Sequence, residues 1–234
     1  MKNRVRSGLA AAAALLVAAC DLVEPSENVN QARIWTDYEL HYDANEDVTA
    51  ARASFRFGGA TGTMLELSGD SYVDANGQVM SKRTQPITNV TYYERSFAGL
   101  APSARFEFVD TEGASYVNEI GLRSVGIPAG GVGPIDNDAS YEVRWTGQPL
   151  APGEEVGAVL YRILGGGALA VFTQRDVGAT SIILDRAQLQ NVEPGDATLV
   201  LERRTSGVLQ EPTDVGGRIS ARYTAAPVLV EVRD

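Results

Sequence analysis

Apolar and polar residues alternate one by one along most of this chain, and that period of two restricts its fold more than any other feature. Tyr38, Leu40 and Tyr42 alternate with Glu39, His41 and Asp43. Ala53, Phe55 and Phe57 alternate with Ser54 and Arg56. The same pattern returns at Ala104–Phe108, Tyr141–Trp145, Ala197–Leu201 and Val228–Val232. Successive strand side chains point to opposite faces, so such runs are half-buried strands with one wet face. Turn residues separate them: Asn76-Gly77 tolerates the left-handed backbone of a hairpin, and Gly165-Gly166-Gly167 lies between two apolar runs. Past the first twenty residues no 15-residue stretch has a helical period; Ala187–Val192 has room for one turn. The pattern predicts an all-β chain built as antiparallel sandwiches.

A break lies near the middle. Six of the nine residues from Gly126 to Pro134 are Gly or Pro, and Asp136-Asn137-Asp138 follows. Pro removes ladder donors and Gly weakens strands, so residues 126–138 read as a linker. They divide the chain into a first sandwich over 33–125 and a second over 139–234. Each has the size of an immunoglobulin-like domain. Leu100-Ala101-Pro102-Ser103-Ala104-Arg105-Phe106 resembles the E–F corner of fibronectin type III domains, Leu-x-Pro-x-x-x-Tyr. A related pattern runs through Val192-Glu193-Pro194 to Leu199. Phe106 stands where the family has Tyr and has no hydroxyl for the corner hydrogen bond. The resemblance therefore implies a sandwich without implying membership. Phe106, between Ala104 and Phe108, is expected in the first core.

The N-terminus is an address. Lys2, Arg4 and Arg6 precede an uncharged run of 12 residues, Gly8–Ala19. That run is shorter than the ~20 residues of a spanning helix and fits a signal peptide over 1–19. Val17-Ala18-Ala19-Cys20 resembles the lipobox of bacterial lipoproteins, in which the signal is cut before a lipid-modified Cys. The resemblance implies lipidation at Cys20 by a diacylglycerol, usually with a further acyl chain such as palmitate on the new N-terminus. It also implies a lipid bilayer as partner and a place in the bacterial cell envelope. Asp21 resembles the signal that retains enteric lipoproteins in the inner membrane; in other bacteria the rule does not hold, so the choice of membrane stays open. Residues 20–32 read as the lipidated Cys and a polar tether.

Charge and chemistry narrow the function. The chain carries 20 basic and 30 acidic residues, net −10. Removing residues 1–20 takes away three basic residues and no acids, leaving 17 against 30, net −13. That balance excludes nucleic acid as a partner. Lys82 is then the only lysine, and the arginine bias reads as genome composition rather than chemistry. One His and one Cys exclude H-E-x-x-H, multi-cysteine zinc sites and thiol catalysis once Cys20 is acylated. No cofactor is called for. His41, between Glu39 and Asp43, reads as an exposed residue on a wet strand face. Asp136, Asn137 and Asp138 are candidate calcium ligands, faintly resembling the acidic linkers of cadherins. Asp43, Asn45, Glu46 and Asp47 form a second oxygen-rich loop. Two functional readings follow. One is a membrane-anchored, non-catalytic binding or structural module facing an envelope protein or glycan. The other is a secreted, glycosidase-like hydrolase using paired carboxylates. The absence of a recognisable nucleophile–base pair favours the first.

Overall fold

The structure is a computed structural model that describes residues 23–163 and 167–234. The lipobox, Cys20 and the glycines 165–166 of the expected turn lie outside the described residues. In chain order the first strands are β1 (Glu24–Pro25), β2 (Ile34–Asp43), β3 (Val48–Phe57), β4 (Thr63–Glu66), β5 (Tyr72–Ala75) and β6 (Gln78–Val79). Next come β7 (Ser81–Thr84), β8 (Thr91–Ala98), β9 (Ser103–Val109), β10 (Ser115–Gly121), β11 (Ile135–Asp136) and β12 (Tyr141–Arg144). The rest are β13 (Glu154–Arg162), β14 (Ala168–Gln174), β15 (Ser181–Leu184), β16 (Gly195–Gly207), β17 (Gly217–Thr224) and β18 (Val228–Arg233). A single helical turn, α1 (Arg186–Leu189), is capped by the Asp185 carboxylate, which accepts from Ala187 N–H.

The fold is all-β, with mostly antiparallel pairing. The expected faces are observed. Tyr38, Leu40, Ala53, Phe55, Ala104, Phe106, Phe108, Leu199 and Leu201 are buried, while their neighbours along each strand face water. Asn76 and Gly77 both take positive φ, 53° and 72°, and turn β5 into β6.

Most strands join one sheet, whose path runs β14-β13-β16-β17-β2-β3. Beyond β3 lie β8 with β7, and β4 with β1. Two pairings carry the sheet across both halves of the sequence. β16 is 13 residues long; its first part pairs with β18 and its last part with β17. β17 then pairs in parallel with β2, from Gly217 opposite Thr36 to Thr224 opposite Asp43. A Cβ on Gly217 would collide with the Thr36 carbonyl and hydroxyl, so only glycine allows the two backbones to meet there.

Two cores form against this sheet. The first lies between β2, β3 and β17 and the four-stranded sheet β10-β9-β5-β6. At its centre Phe106 stacks on Tyr38, with ring centres 4.9 Å apart. The second lies between β13, β14, β16 and β18 and the pair β12-β15.

Three segments pack across the expected boundaries. Ile219 and Ala221, expected in the second sandwich, are buried in the first core. The expected linker 126–138 is not free: Gly126 pairs with Thr146, and Ile135 is buried in the second core, where β11 pairs with β18. Ile127 and Val132 pack against the same core, so three apolar side chains spaced through the Gly and Pro dock it. Within the expected tether, Glu24–Pro25 pair with Leu65–Glu66, and polar contacts hold the residues that follow. Ser26 Oγ lies 2.9 Å from Ser71 Oγ, and Gln31 Nε2 donates to Ser26 O at 2.6 Å and Val29 O at 2.8 Å.

A buried ion pair sits where the cores meet. Arg203, on the inward face of β16, donates to Glu154 Oε2 at 2.5 Å, Gln148 O at 2.6 Å and Pro149 O at 3.0 Å. Both side chains are at most 1% exposed. Burial raises the Glu154 pKa, but hydrogen bonds from Arg203 and Ala151 N–H, with the charges of Arg203 and Arg123, outweigh it and hold the carboxyl below its ordinary value.

Two outcomes check this packing. Phe106→Ala should lower stability by about 3–5 kcal/mol in chemical denaturation, as for a fully buried aromatic side chain. Arg203→Met should cost about 3 kcal/mol, because it removes the buried partner of Glu154 and leaves the carboxylate only Arg123, at 3.0 Å and half exposed, as a counter-charge. The double variant Arg203→Met/Glu154→Leu should lose less than Arg203→Met alone. Stability from ionised Glu154 is full above the ordinary glutamate value and disappears as pH falls through the lowered folded value, so denaturation between about pH 5 and 3 should be flatter in the double variant.

Candidate functional site

The wet positions of the central strands meet on one face of the sheet. Alternation puts Asp37, Glu39 and His41 of β2, Arg52 and Ser54 of β3, and Arg218, Ser220 and Arg222 of β17 on that face. Register then places Arg218 opposite Asp37, Arg222 opposite His41, Glu39 opposite Arg52, and Arg52 opposite Glu94. On the other flank Arg204 lies opposite both Arg222 and Glu155.

Acids separate the arginines. Arg52 binds Glu94 at 2.7 Å, Arg218 binds Asp37 at 2.5 Å and Arg222 binds Glu39 at 3.3 Å. Glu202 stands between Arg204, at 2.5 Å, and Arg222, at 4.0 Å, and so relieves the cross-strand Arg204–Arg222 pair. Arg175 closes the row on Glu155 at 2.8 Å. The hydrogen bond from Arg218 to Asp37, with the Asp37 charge, pushes the guanidinium pKa up. The five arginines, with Asp37, Glu39 and Glu155, line an open groove of about 960 Å³. Glu94 and Glu202 bind Arg52, Arg204 and Arg222 from outside that lining, so five arginines are matched by five acids and the groove is close to neutral on a strongly acidic protein. At one end Tyr92 lies under Arg52, whose guanidinium carbon is 5.5 Å from the ring centre.

His41 is half-buried at the edge of this network, a correction to the expected exposed position. Arg222 Nη2 lies 3.3 Å from Nδ1, and Thr224 Oγ1 lies 3.0 Å from Nε2. A guanidinium only donates, so Nδ1 accepts and Nε2 carries the proton toward Thr224. In that tautomer His41 has no lone pair for the Thr224 hydroxyl proton, and the two are not a base and nucleophile. Burial lowers the His41 pKa, and the Arg222 charge lowers it further against the opposing pull of Glu39, Asp43 and Glu202.

The expected calcium ligands are not brought together. Asp136 Oδ1 accepts Asp138 N–H at 2.9 Å, Asn137 donates to Val192 O at 3.3 Å, and Asp138 faces Arg186 at 3.5 Å. In the other loop Asp43 Oδ1 accepts Asn45 N–H at 2.8 Å and Asp47 accepts the Tyr42 hydroxyl at 2.9 Å. These carboxylates form turns and pairs. Among the described residues no three His, Cys, Asp or Glu side chains group as a metal site. Val17, Ala18, Ala19 and Cys20 lie outside the described residues. Among those described, no helix is long and apolar enough to cross a membrane.

The groove arginines were missed in the sequence because their abundance had a compositional explanation. Their signal was position: Arg52, Arg204, Arg218 and Arg222 each occupy a wet-face slot of a strand.

No known family pattern matches the chain, and no curated protein matches it. Among solved structures it is similar to a tetra-tandem repeat in the extending region of a large adhesion protein. Identity is 14% and the TM-score 0.27, over 85% of this chain and 49% of that one. It is also similar to the adhesin InvE of Yersinia pseudotuberculosis, with 9% identity and a TM-score of 0.25, over 88% of this chain and 62% of that one. The chain thus spans about half to three-fifths of the length of these structures. Likeness at this level says nothing of what this chain binds.

The His41 geometry makes a pH prediction. A lowered folded pKa means that the unfolded chain binds the proton more readily. The stability contributed by neutral His41 is therefore full above the unfolded value near 6.5 and is lost as pH falls toward the folded one. NMR titration should show the His41 ring protonating below 6.5. Thermal midpoints of His41→Gln should fall less than those of the parent between pH 7 and pH 5.

Proposed function

We propose that this chain is a non-catalytic binding module of the bacterial cell envelope, lipid-anchored through Cys20, and that the groove across its shared sheet holds a neutral glycan. The neutral, ion-paired lining of that groove carries the reading. Each guanidinium and carboxylate is held by its partner, so the polar atoms stand in set positions before any ligand arrives. A pyranose presents neighbouring hydroxyls that both accept from guanidinium N–H groups and donate to carboxylate oxygens. Tyr92 offers the apolar surface on which a sugar ring rests. An apolar ligand would find no apolar cavity here, and a polyanion would face the acids as well as the net charge of the protein.

The pairing in the groove argues for binding over hydrolysis. Asp37, Glu39 and Glu155 each bind an arginine, and none sits in the apolar pocket that keeps the acid of a glycosidase protonated. Anchoring explains how a module without chemistry serves its cell: it retains a polymer at a membrane face.

The test is calorimetric titration of the full lipidated protein, in detergent micelles, with neutral gluco-, manno- and chito-oligosaccharides and a sulfated oligosaccharide. Binding of at least one neutral series is expected, weakened about tenfold or more, ~1.4 kcal/mol, by Tyr92→Ala and by Arg222→Ala with melting unchanged. Tighter binding of the sulfated probe, heat from no neutral series, or release of reducing ends would each reject the reading. Mass spectrometry of the mature N-terminus checks the anchor separately: a diacylglyceryl Cys20 is expected, and an unmodified chain beginning elsewhere removes it.

A further inference from the structure

We infer that β14 is a docking edge for a second copy of this chain, which adds its own β14 antiparallel to form a two-fold dimer with one sheet running through both copies. The observation is a contrast among edges. An unpaired strand edge is a template for another strand, and proteins blunt such edges with charge, proline, short length or side-chain caps. This protein does so repeatedly. β7 ends the sheet with Lys82 and Arg83. β1 is two residues long and contains Pro25. The free edge of β10 is capped by a loop: Val117 N–H donates to Glu211 at 2.7 Å and Glu119 N–H to Gln210 at 2.8 Å.

β14 carries none of these devices. Its sequence, Ala-Leu-Ala-Val-Phe-Thr-Gln, has seven residues, no charge and no proline. It pairs with β13 on one side, and among the described residues its backbone has no hydrogen-bond partner on the other. Val171 is 53% exposed and in register with Val159, which is in register with Val200, so an apolar strip on the wet face leads up to the edge.

A second copy fits this edge for three reasons. An antiparallel strand pair is self-complementary about a two-fold axis, so the same edge serves both partners. The pairing also closes: the joined sheet then ends at β7 on both sides, where Lys82 and Arg83 stop further addition. Finally, two copies, each of net charge −13 once the signal is cut, meet along a stretch that sets no carboxylate against another. Seven residues give ~23 Å of strand, and an interface that narrow falls below the ~1,000 Å² of a stable complex. The dimer is therefore reversible, with a dissociation constant of about 100 μM, which suits copies concentrated on one membrane.

The test combines cross-linking with mass. In the full lipidated chain, the double variant Val171→Cys/Thr173→Cys, which supplies a facing thiol pair whether the two-fold axis passes 171, 172 or 173, should form disulfide dimers under mild oxidation at least about tenfold more than Lys82→Cys or the parent. Sedimentation of the parent from ~5 μM to ~1 mM should show mass rising toward the dimer. Val171→Lys/Thr173→Lys should stay monomeric with its melting unchanged; if it melts early, the cross-linking decides. A parent that stays monomeric at ~1 mM, equal cross-linking at Lys82→Cys, or a dimer surviving the lysine pair would overturn the inference. Glycan binding through the groove is independent of all these outcomes.

Discussion

The parallel seam between β17 and β2 is the constraint on which the rest of this structure depends. It joins residues about 180 positions apart, Gly217 to Thr36 and Thr224 to Asp43. A parallel pair needs a crossover, and here the crossover is nearly the whole chain. Without the seam, the strands around the first core and those around the second would form separate sheets. With it, the wet faces of β3, β2, β17, β16 and β13 become one surface, and Arg222 reaches Glu39 of one half and Glu202 of the other. The groove is a property of the joined sheet and belongs to neither half alone. Gly217 marks the cost of that closeness: no side chain fits against Thr36 at the first residue of the seam.

The cores on the opposite face do not fuse in the same way. Where they meet, the inward slot on β16 after Leu199 and Leu201 is filled by Arg203 instead of another aliphatic residue. Its guanidinium takes carbonyls from the loop before β13 and the carboxylate of Glu154. Such a pair repays its desolvation through its hydrogen bonds, which Arg203 makes at both terminal nitrogens but not at the buried Nε, and a change that removes one partner costs more than a change that removes both. Through Gln148 O and Pro149 O, Arg203 ties the loop before β13 to β16.

Local patterning revealed the strand faces, the Asn76-Gly77 hairpin, the turn at α1 and the burial of Phe106, because each depends on neighbours in the chain. What it missed depends on distance or on polar contacts. Ile219 and Ala221 alternate like any strand residues, and nothing in their pattern says which core receives them. Ser26 is held by Ser71, and Gln31 donates to the carbonyls of Ser26 and Val29; these are polar contacts, so a hydropathy reading makes their segment a tether. Ile127, Val132 and Ile135 are scattered among glycines and prolines, too sparse to show a strand period and enough to dock the segment on the second core. In the site, the wet slots of Arg52, Arg218 and Arg222 were legible strand by strand. Their convergence required the seam, and the neutral pairing of the groove required the register.

The groove and the β14 edge draw on one physical fact, that a twisted sheet face can be wet without being loose. Exposed ion pairs add little stability one by one, because water screens them and long side chains lose entropy. Their value here is positional. Glu202 between Arg204 and Arg222, and Glu155 between Arg204 and Arg175, hold arginines that would otherwise repel each other in one plane. A face ordered in this way presents fixed donors and acceptors to a polar ligand. Moving outward along β13 and β16 the charges give way to Val159, Val200 and Val171, and the last strand stands open. The same sheet thus changes from a surface suited to hydroxyl groups into one suited to another strand.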